Sequence, residues 1–221
     1  MSDSVQKTIV CPHCGQKGEA QTWPVVDAFE DPEAADALLS GTLFDYTCAG
    51  CNTTFTLDFD VTYVDDYARG RVRYARRAED RADEERLVDE MPAPSHLDPD
   101  DDRPYTSRIV DSRDALREKA ALFRDGLDDR AVELIKASAF DLFESRGEVD
   151  AGDVVRYGGQ TEDGALLLEF IGDAGVRETE VPRTSYDALV ARELPADDVV
   201  VDAAWAQRAA RDLSDQDESE E

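Results

Sequence analysis

Cys11-Pro12-His13-Cys14 and Cys48-Ala49-Gly50-Cys51 hold every cysteine of the chain, with 33 residues between Cys14 and Cys48. Two such pairs point to one metal site. Zn2+ takes four thiolates in a tetrahedron, and two short hairpin knuckles can each donate a pair without straining the backbone. Gly15 follows the first pair and Asn52 the second, and both residue types tolerate the left-handed conformation such a turn wants. Cys11, Cys14, Cys48 and Cys51 are therefore the expected ligands of a structural Zn2+ ion. In a reducing cytosol, paired cysteines of this kind serve as metal ligands rather than disulfides.

Outward from the knuckles, residues 1–66 read as a metal-stapled β module. Thr8–Val10 leads into the first knuckle, and Thr22–Val26 is a short strand expected on a sheet edge because Pro24 has no N–H to donate. Asp31-Pro32-Glu33 is a helix start, with a capping carboxylate, proline at the first helical position and an acid in the first turn; Gly41 ends that helix. Leu43–Thr47 enters the second knuckle. Beyond it Phe55, Leu57, Phe59, Val61 and Tyr63 alternate with Thr56, Asp58, Asp60 and Thr62, which predicts one continuous strand with a buried and a wet face.

Residues 67–104 change character. Tyr67–Met91 is rich in Arg, Ala and Glu and expected to be helical in part, and Pro92–Pro104 reads as a mobile Pro/Asp linker. Residues 105–147 supply a strand over Tyr105–Val110 and two helices. The first presents Leu116, Ala120 and Phe123 and stops at Gly126. The second starts at Asp128, turns Val132, Ile135, Ala139, Leu142 and Phe143 inward and stops at Gly147. The short connection predicts that they pack as an antiparallel hairpin. Residues 148–213 return to β structure: Asp153–Tyr157, Ala165–Ile171 and Val176–Val181 form a three-stranded meander. A short helix at Ser185–Arg192 and an amphipathic helix carrying Val201, Trp205 and Leu213 follow. Residues 214–221 are expected to be a disordered acidic tail. The fold class is α+β: a zinc ribbon-like β module with an inserted short helix, an α-hairpin and a small antiparallel β-meander.

The chain carries 52 acidic against 24 basic residues, a net charge of −28, and four of the basic residues are lysine. Such a field repels phosphate backbones, so nucleic acid is not the expected partner. Arg69, Arg71, Arg73, Arg76, Arg77, Arg81 and Arg86 interleave with Tyr67 and Tyr74 and suggest a basic stripe. Glu79, Asp80, Asp83, Glu84, Glu85, Asp89 and Glu90 offset them at helical spacings, which favours a solvated, salt-bridged helix. No signal peptide and no apolar run of membrane-spanning length is seen, so a soluble cytoplasmic protein is expected.

Ile9-Val10-Cys11-Pro12-His13-Cys14-Gly15, then Trp23, then Gly41-Thr42-Leu43-Phe44, then Cys48 and Cys51 ahead of an alternating strand, resemble the bacterial and archaeal CpXC domain family. Arg108-Ile109-Val110, Leu116-Arg117-Glu118-Lys119 and Gly126–Lys136 continue the match. The second pair departs from the family pattern, with Ala49 where a proline usually follows the first cysteine. What the resemblance implies is a zinc site, with no established activity attached.

A Pro-His dipeptide between cysteines also occurs in oxidising dithiols of the thioredoxin class, where the first thiolate sits at a helix N-terminus. Here Gly15-Gln16-Lys17-Gly18 makes a turn instead, which leaves a redox dithiol and a rubredoxin-like iron site as the alternatives to zinc. Four thiolates leave no vacant position for water, so the metal is expected to serve folding and not catalysis. His13 and His96 are not expected to be ligands. Asp128-Asp129-Arg130 with Glu133 and Lys136 is the most suggestive polar cluster elsewhere; Asp128 reads as a helix cap, and a catalytic carboxylate pair there would need burial. No catalytic residue is expected. The expected function is that of a non-enzymatic protein-interaction or scaffold protein with an unidentified protein partner. The alternatives are a nucleic-acid-associated regulator using the zinc module and the Arg-rich segment, and a thiol redox or metal-sensing switch.

Overall fold

Both knuckles are the tips of antiparallel hairpins, and the rest of the first half of the chain is arranged around them. The computed structural model describes residues 3–75, 81–98, 100–192, 194–195 and 198–219. Strand β1 (Asp3–Val10) turns through the first knuckle into β2 (Lys17–Asp27). Helix α1 (Pro32–Ser40) begins as the sequence predicts: the Asp31 side chain accepts the Ala34 N–H, Pro32 opens the helix, and Gly41 closes it at φ 82°. Strands β3 (Asp45–Thr47) and β4 (Thr54–Thr56) pair across the second knuckle. Then follow β5 (Val61–Asp65), β6 (Gly70–Tyr74), helix α2 (Arg81–Asp89), β7 (Thr106–Val110) and helix α3 (Arg113–Arg124).

A five-stranded mixed sheet in the order β1-β2-β5-β6-β7 collects these elements. Its pairings β2–β5 and β6–β7 are parallel. Three expectations change here. First, β2 is not an edge strand: it pairs with β1 on one side and β5 on the other. The ladder with β1 tolerates Pro24 because the register shifts there, between Asp3↔Val25 and Val5↔Thr22, so the missing N–H falls in a bulge. Second, the alternating stretch is two strands in two sheets, β4 and β5. Alternation of exposure holds through Asp60, but Val61, Thr62, Tyr63, Val64 and Asp65 are all buried, since β5 is the central strand and both its faces are covered. Third, Gly70–Tyr74 is a sheet strand and not helix, so the sheet runs across the boundary expected after residue 66. Helix α2 does form within the charged segment, and Arg86 pairs with Glu90 at 2.7 Å and Asp83 at 3.4 Å as the helical spacing predicts.

The Pro/Asp segment after α2 is held down by two side chains. Asp66, buried at the end of β5, accepts the N–H groups of Ser95 (2.8 Å) and His96 (2.7 Å) and the hydroxyl of Tyr105 (2.9 Å). Arg71 donates to the carbonyl oxygens of Met91 and Pro92 and to the Ser107 hydroxyl. Within the core above, Phe44 packs on Phe59 (4.9 Å between ring centroids) and edge-on against Tyr74 (6.4 Å), and Arg113 lies over the Phe44 ring.

The chain divides into two compact units, one ending at Ala120 and the next starting at Ala121, within α3. In the second unit, helix α4 (Asp129–Ser145) precedes a meander of β8 (Val154–Gln160), β9 (Leu166–Gly172) and β10 (Gly175–Val181), in the order β10-β9-β8. Helices α5 (Arg183–Val190) and α6 (Ala203–Ser219) complete it. Leu166, Leu168 and Phe170 alternate inward from β9 and meet Ala131, Val132 and Ile135 of α4. Leu134, on another side of α4, packs with Trp205, Ala206, Ala209 and Leu213 of α6. Thus α4 rests on β8, α5 and α6, and α3 contributes Leu122 from its last turn, where the sequence predicted a simple helical pair. Leu142, expected inward, is exposed; its neighbour Phe143 packs on Phe170 instead. The expected tail continues α6 to Ser219, and Glu220 and Glu221 lie outside the described residues.

Burial alone would raise the Asp66 pKa, but the two N–H groups and the Tyr105 hydroxyl outweigh it and hold the carboxyl below its ordinary value of 3.8. A lowered folded pKa gives stability that is present above pH 3.8 and is lost as pH falls through the shifted value. Asp66→Ala orphans these donors and should destabilise the first unit by about 2–3 kcal/mol. Chemical denaturation of both forms should show a constant gap at neutral pH that narrows below pH 3.8.

Candidate metal centre

The two knuckles close with the same hydrogen bonds, residue for residue. In the first, the Gly15 N–H donates to the Cys11 carbonyl and the Cys11 N–H to the Gln16 carbonyl, both at 2.9 Å. In the second, the Asn52 N–H donates to the Cys48 carbonyl at 2.8 Å and the Cys48 N–H to the Thr53 carbonyl at 3.0 Å. Gly15 (φ 74°) and Asn52 (φ 56°) take the left-handed conformation at matching positions, as the sequence predicts. With Ala49 in place of a proline the second turn keeps both bonds, so the departure from the family pattern leaves the geometry intact. The Gly50 N–H also points at the Cys48 Sγ, 3.4 Å away.

Two glycines let the hairpins close on each other. A Cβ at Gly18 would strike the Tyr46 hydroxyl, and one at Gly50 would strike the Gln16 carboxamide. Tyr46 in turn packs on Phe55 across β3 and β4, with centroids 5.4 Å apart. This close approach brings Cys11 Sγ within 3.7 Å of Cys51 Sγ and Cys14 Sγ within 3.7 Å of Cys48 Sγ. All four sulfurs lie within 4.8 Å of one another. A tetrahedron with metal–sulfur bonds of about 2.3 Å has edges of about 3.8 Å, so the donor set fits a four-thiolate metal site. Cys11 and Cys48 are buried, Cys51 is half-buried and Cys14 is exposed, which leaves the site a solvent-facing side at Cys14.

Neighbouring hydrogen bonds and the crowding of four sulfurs shift their acidities in opposite directions. Cys14 receives a favourable hydrogen bond from the Gln16 backbone, but desolvation and the three neighbouring sulfurs prevail and its thiol is pushed up to about 12. The Thr53 hydroxyl and N–H hold Cys51 down at about 6, and backbone N–H groups of Cys51 and Gly50 lower Cys48. The hydrogen bonds thus favour the thiolate at Cys51 and the thiol at Cys14, and a metal held by all four sulfurs would displace the protons that remain.

The other sequence-predicted residues fall elsewhere. His13 is exposed between the ligands. His96 is not isolated: its Nε2 lies 3.0 Å from Glu30, and its ring packs on Phe29. Asp128 caps α4, accepting the Arg130 N–H at 3.0 Å and pairing with its guanidinium at 2.7 Å. Asp129 and Glu133 are buried one turn apart, and Lys136 Nζ donates to Glu133 at 3.0 Å. Of the arginine stripe, Arg71 and Arg73 lie on β6 and donate within the fold, Arg73 to the Thr62 hydroxyl, while Arg69 faces Asp101 at 3.9 Å. Arg76 and Arg77 lie outside the described residues. The sequence reading missed Asp66. Its partners are 29, 30 and 39 residues away, and no local pattern marks them.

Fold and site together define an α+β protein headed by two cysteine hairpins that could hold one metal ion. The family model for the CpXC protein matches residues 9–136, and the chain belongs to the CpXC family. No curated protein and no solved structure matches it.

Metal uptake at neutral pH should release protons, with Cys14 contributing, and affinity should fall as acidification through about pH 6 re-protonates Cys51. Calorimetric titration in buffers of different ionisation enthalpy measures both effects; affinity independent of pH between about 5 and 8 would contradict this assignment.

Proposed function

We propose that the chain is a non-enzymatic protein-interaction or scaffold protein whose four cysteines hold a structural Zn2+ ion in a zinc ribbon-like module. The observation that carries this reading is the convergence of four cysteine sulfurs to within 4.8 Å on two hairpin tips, a group that no His, Asp or Glu joins among the described residues. Bound zinc would contribute charge neutralisation and a cross-link between the hairpins, with all four positions occupied by protein and none left for water. The residues of the site then do only structural work. Gly15 and Asn52 shape the turns, Gly18 and Gly50 admit Tyr46 and Gln16, and the four sulfurs tie β1–β2 to β3–β4. A reducing, cytoplasmic setting suits the four thiolates.

The nucleic-acid reading is weakened by the use that the fold makes of Arg71 and Arg73 and by the net charge of −28. A helix long and apolar enough to cross a membrane is absent among the described residues.

The purified chain should carry one equivalent of zinc, and Cys48→Ser should lose it together with the cooperative unfolding of the first unit, because metal-binding energy here is folding energy. Zinc retained at full stoichiometry with unchanged stability in Cys48→Ser overturns the four-ligand site. Affinity purification of the full chain should recover one stoichiometric protein partner. Specific nucleic-acid binding at physiological salt overturns the interaction reading in favour of a regulator, and zinc release under mild oxidant with the fold intact would favour a switch.

A further inference from the structure

Three exposed apolar side chains stand on three loops of the first unit: Phe29 at 48% exposure, Tyr67 at 67% and Leu97 at 37%. Phe29 follows the end of β2 and Tyr67 the end of β5, and because these strands run parallel both loops lie at the same end of the sheet. The Phe29 ring sits 5.6 Å from Tyr67 and 4.5 Å from His96, the neighbour of Leu97 in the chain. The rings form one contiguous cluster, tilted against one another and open to solvent.

Each loop is pinned from beneath by a buried aspartate. Asp27 accepts the N–H groups of Phe29 and Glu30, Asp65 accepts that of Ala68, and Asp66 accepts those of Ser95 and His96. Ordered loops that present clustered aromatics outward are preorganised for contact, which lowers the entropy that a partner must offset on binding. An exposed cluster of this kind marks an interaction surface more than a folding requirement.

Charge indicates what would bind. Glu30, partly exposed and bonded to His96 Nε2, borders the cluster, and exposed Asp98 follows Leu97. The arginines near these loops do not reverse that sign: Arg103 pairs with Asp101 at 2.7 Å and donates to the Tyr67 carbonyl, and Arg69 faces the same Asp101. The whole chain carries −28. We propose that this aromatic platform docks an arginine-bearing segment of a partner protein, with the guanidinium plane laid on the Tyr67 ring beside Phe29 and its N–H groups directed to Glu30. A guanidinium stacks on ring faces and binds carboxylates through a planar fork, whereas the lysine ammonium is a compact, strongly hydrated point charge. The proposal deepens the interaction reading above and rests on it.

The test is an NMR titration of the zinc-loaded full chain at about 0.15 M salt, where the Debye length of about 8 Å suppresses diffuse attraction. The probes are blocked peptides Gly-Arg-Gly-Arg-Gly and Gly-Lys-Gly-Lys-Gly. The expected result is shifts confined to residues 28–30, 66–68 and 95–98. The arginine peptide should bind more tightly, and Tyr67→Ala or Phe29→Ala should weaken it about fivefold. Val176→Ala, an exposed site in the second unit, should leave it unchanged. Equal binding of both peptides with shifts spread over the acidic surface overturns the proposal in favour of the general field. Self-association that Tyr67→Ala abolishes makes a second copy the occupant and also overturns it, as does no binding at all. A chain that recovers its stoichiometric partner through Tyr67→Ala unchanged loses this surface while keeping its interaction role; loss of the role itself would show as no partner for the unmodified chain.

Discussion

Four sulfur atoms from two distant stretches of chain converge to within 4.8 Å only if both hairpins arrive face to face and nothing larger than hydrogen occupies the points of contact. That constraint shapes much of the first unit. It accounts for glycine at 18 and 50, for the left-handed residues at 15 and 52, and for the tyrosine that leans from β3 onto β2. Between the hairpins stands α1, nine residues long and capped at both ends, which links β2 to the strand that enters the second knuckle.

The second unit has no comparable fixed point and relies on apolar packing and a chain of polar contacts. The Tyr157 hydroxyl donates to Asp125 at 2.6 Å, and the Tyr186 hydroxyl accepts the Asp128 N–H at 2.8 Å. Arg183 reaches Gln160 and lies 4.7 Å over the Tyr186 ring. The short turn between α3 and α4 is thereby fastened to the meander and to α5. Burial pushes both tyrosines above their ordinary pKa, and Tyr157 so retains the proton that it donates to Asp125.

The features legible in the sequence were those written in adjacent residues. The cysteine pairs with Gly15 and Asn52, the Asp31-Pro32 start and Gly41 stop of α1, the Asp128 cap and the three strands of the meander all follow from local chemistry. What the sequence hid depends on partners far along the chain. Val61–Tyr63 continues the alternation of a half-wet strand, yet it lies in the central strand of a sheet whose neighbours begin at residues 17 and 70. Pro24 correctly forbids a regular ladder, but a bulge and not an edge resolves the conflict. The Pro/Asp stretch has the composition of a linker, and only the distant Asp66 and Arg71 turn it into ordered structure. The grouping of the four cysteines is legible in the sequence, whereas the close approach at Gly18 and Gly50 requires knowing which hairpins meet.

The parallel pairing of β2 with β5 has a kinetic consequence. Val25 lies beside Thr62, so the ladder can form only after the chain between them, which contains α1 and the entire second hairpin, has closed into a loop. Such long-range pairing is slow because the closure entropy must be offset before any of its contacts form. The Cys14 and Cys48 sulfurs meet across a loop that overlaps this one. A metal ion held there early in folding would shorten the search for the central strand, and would then act on the order of assembly as well as on the finished structure.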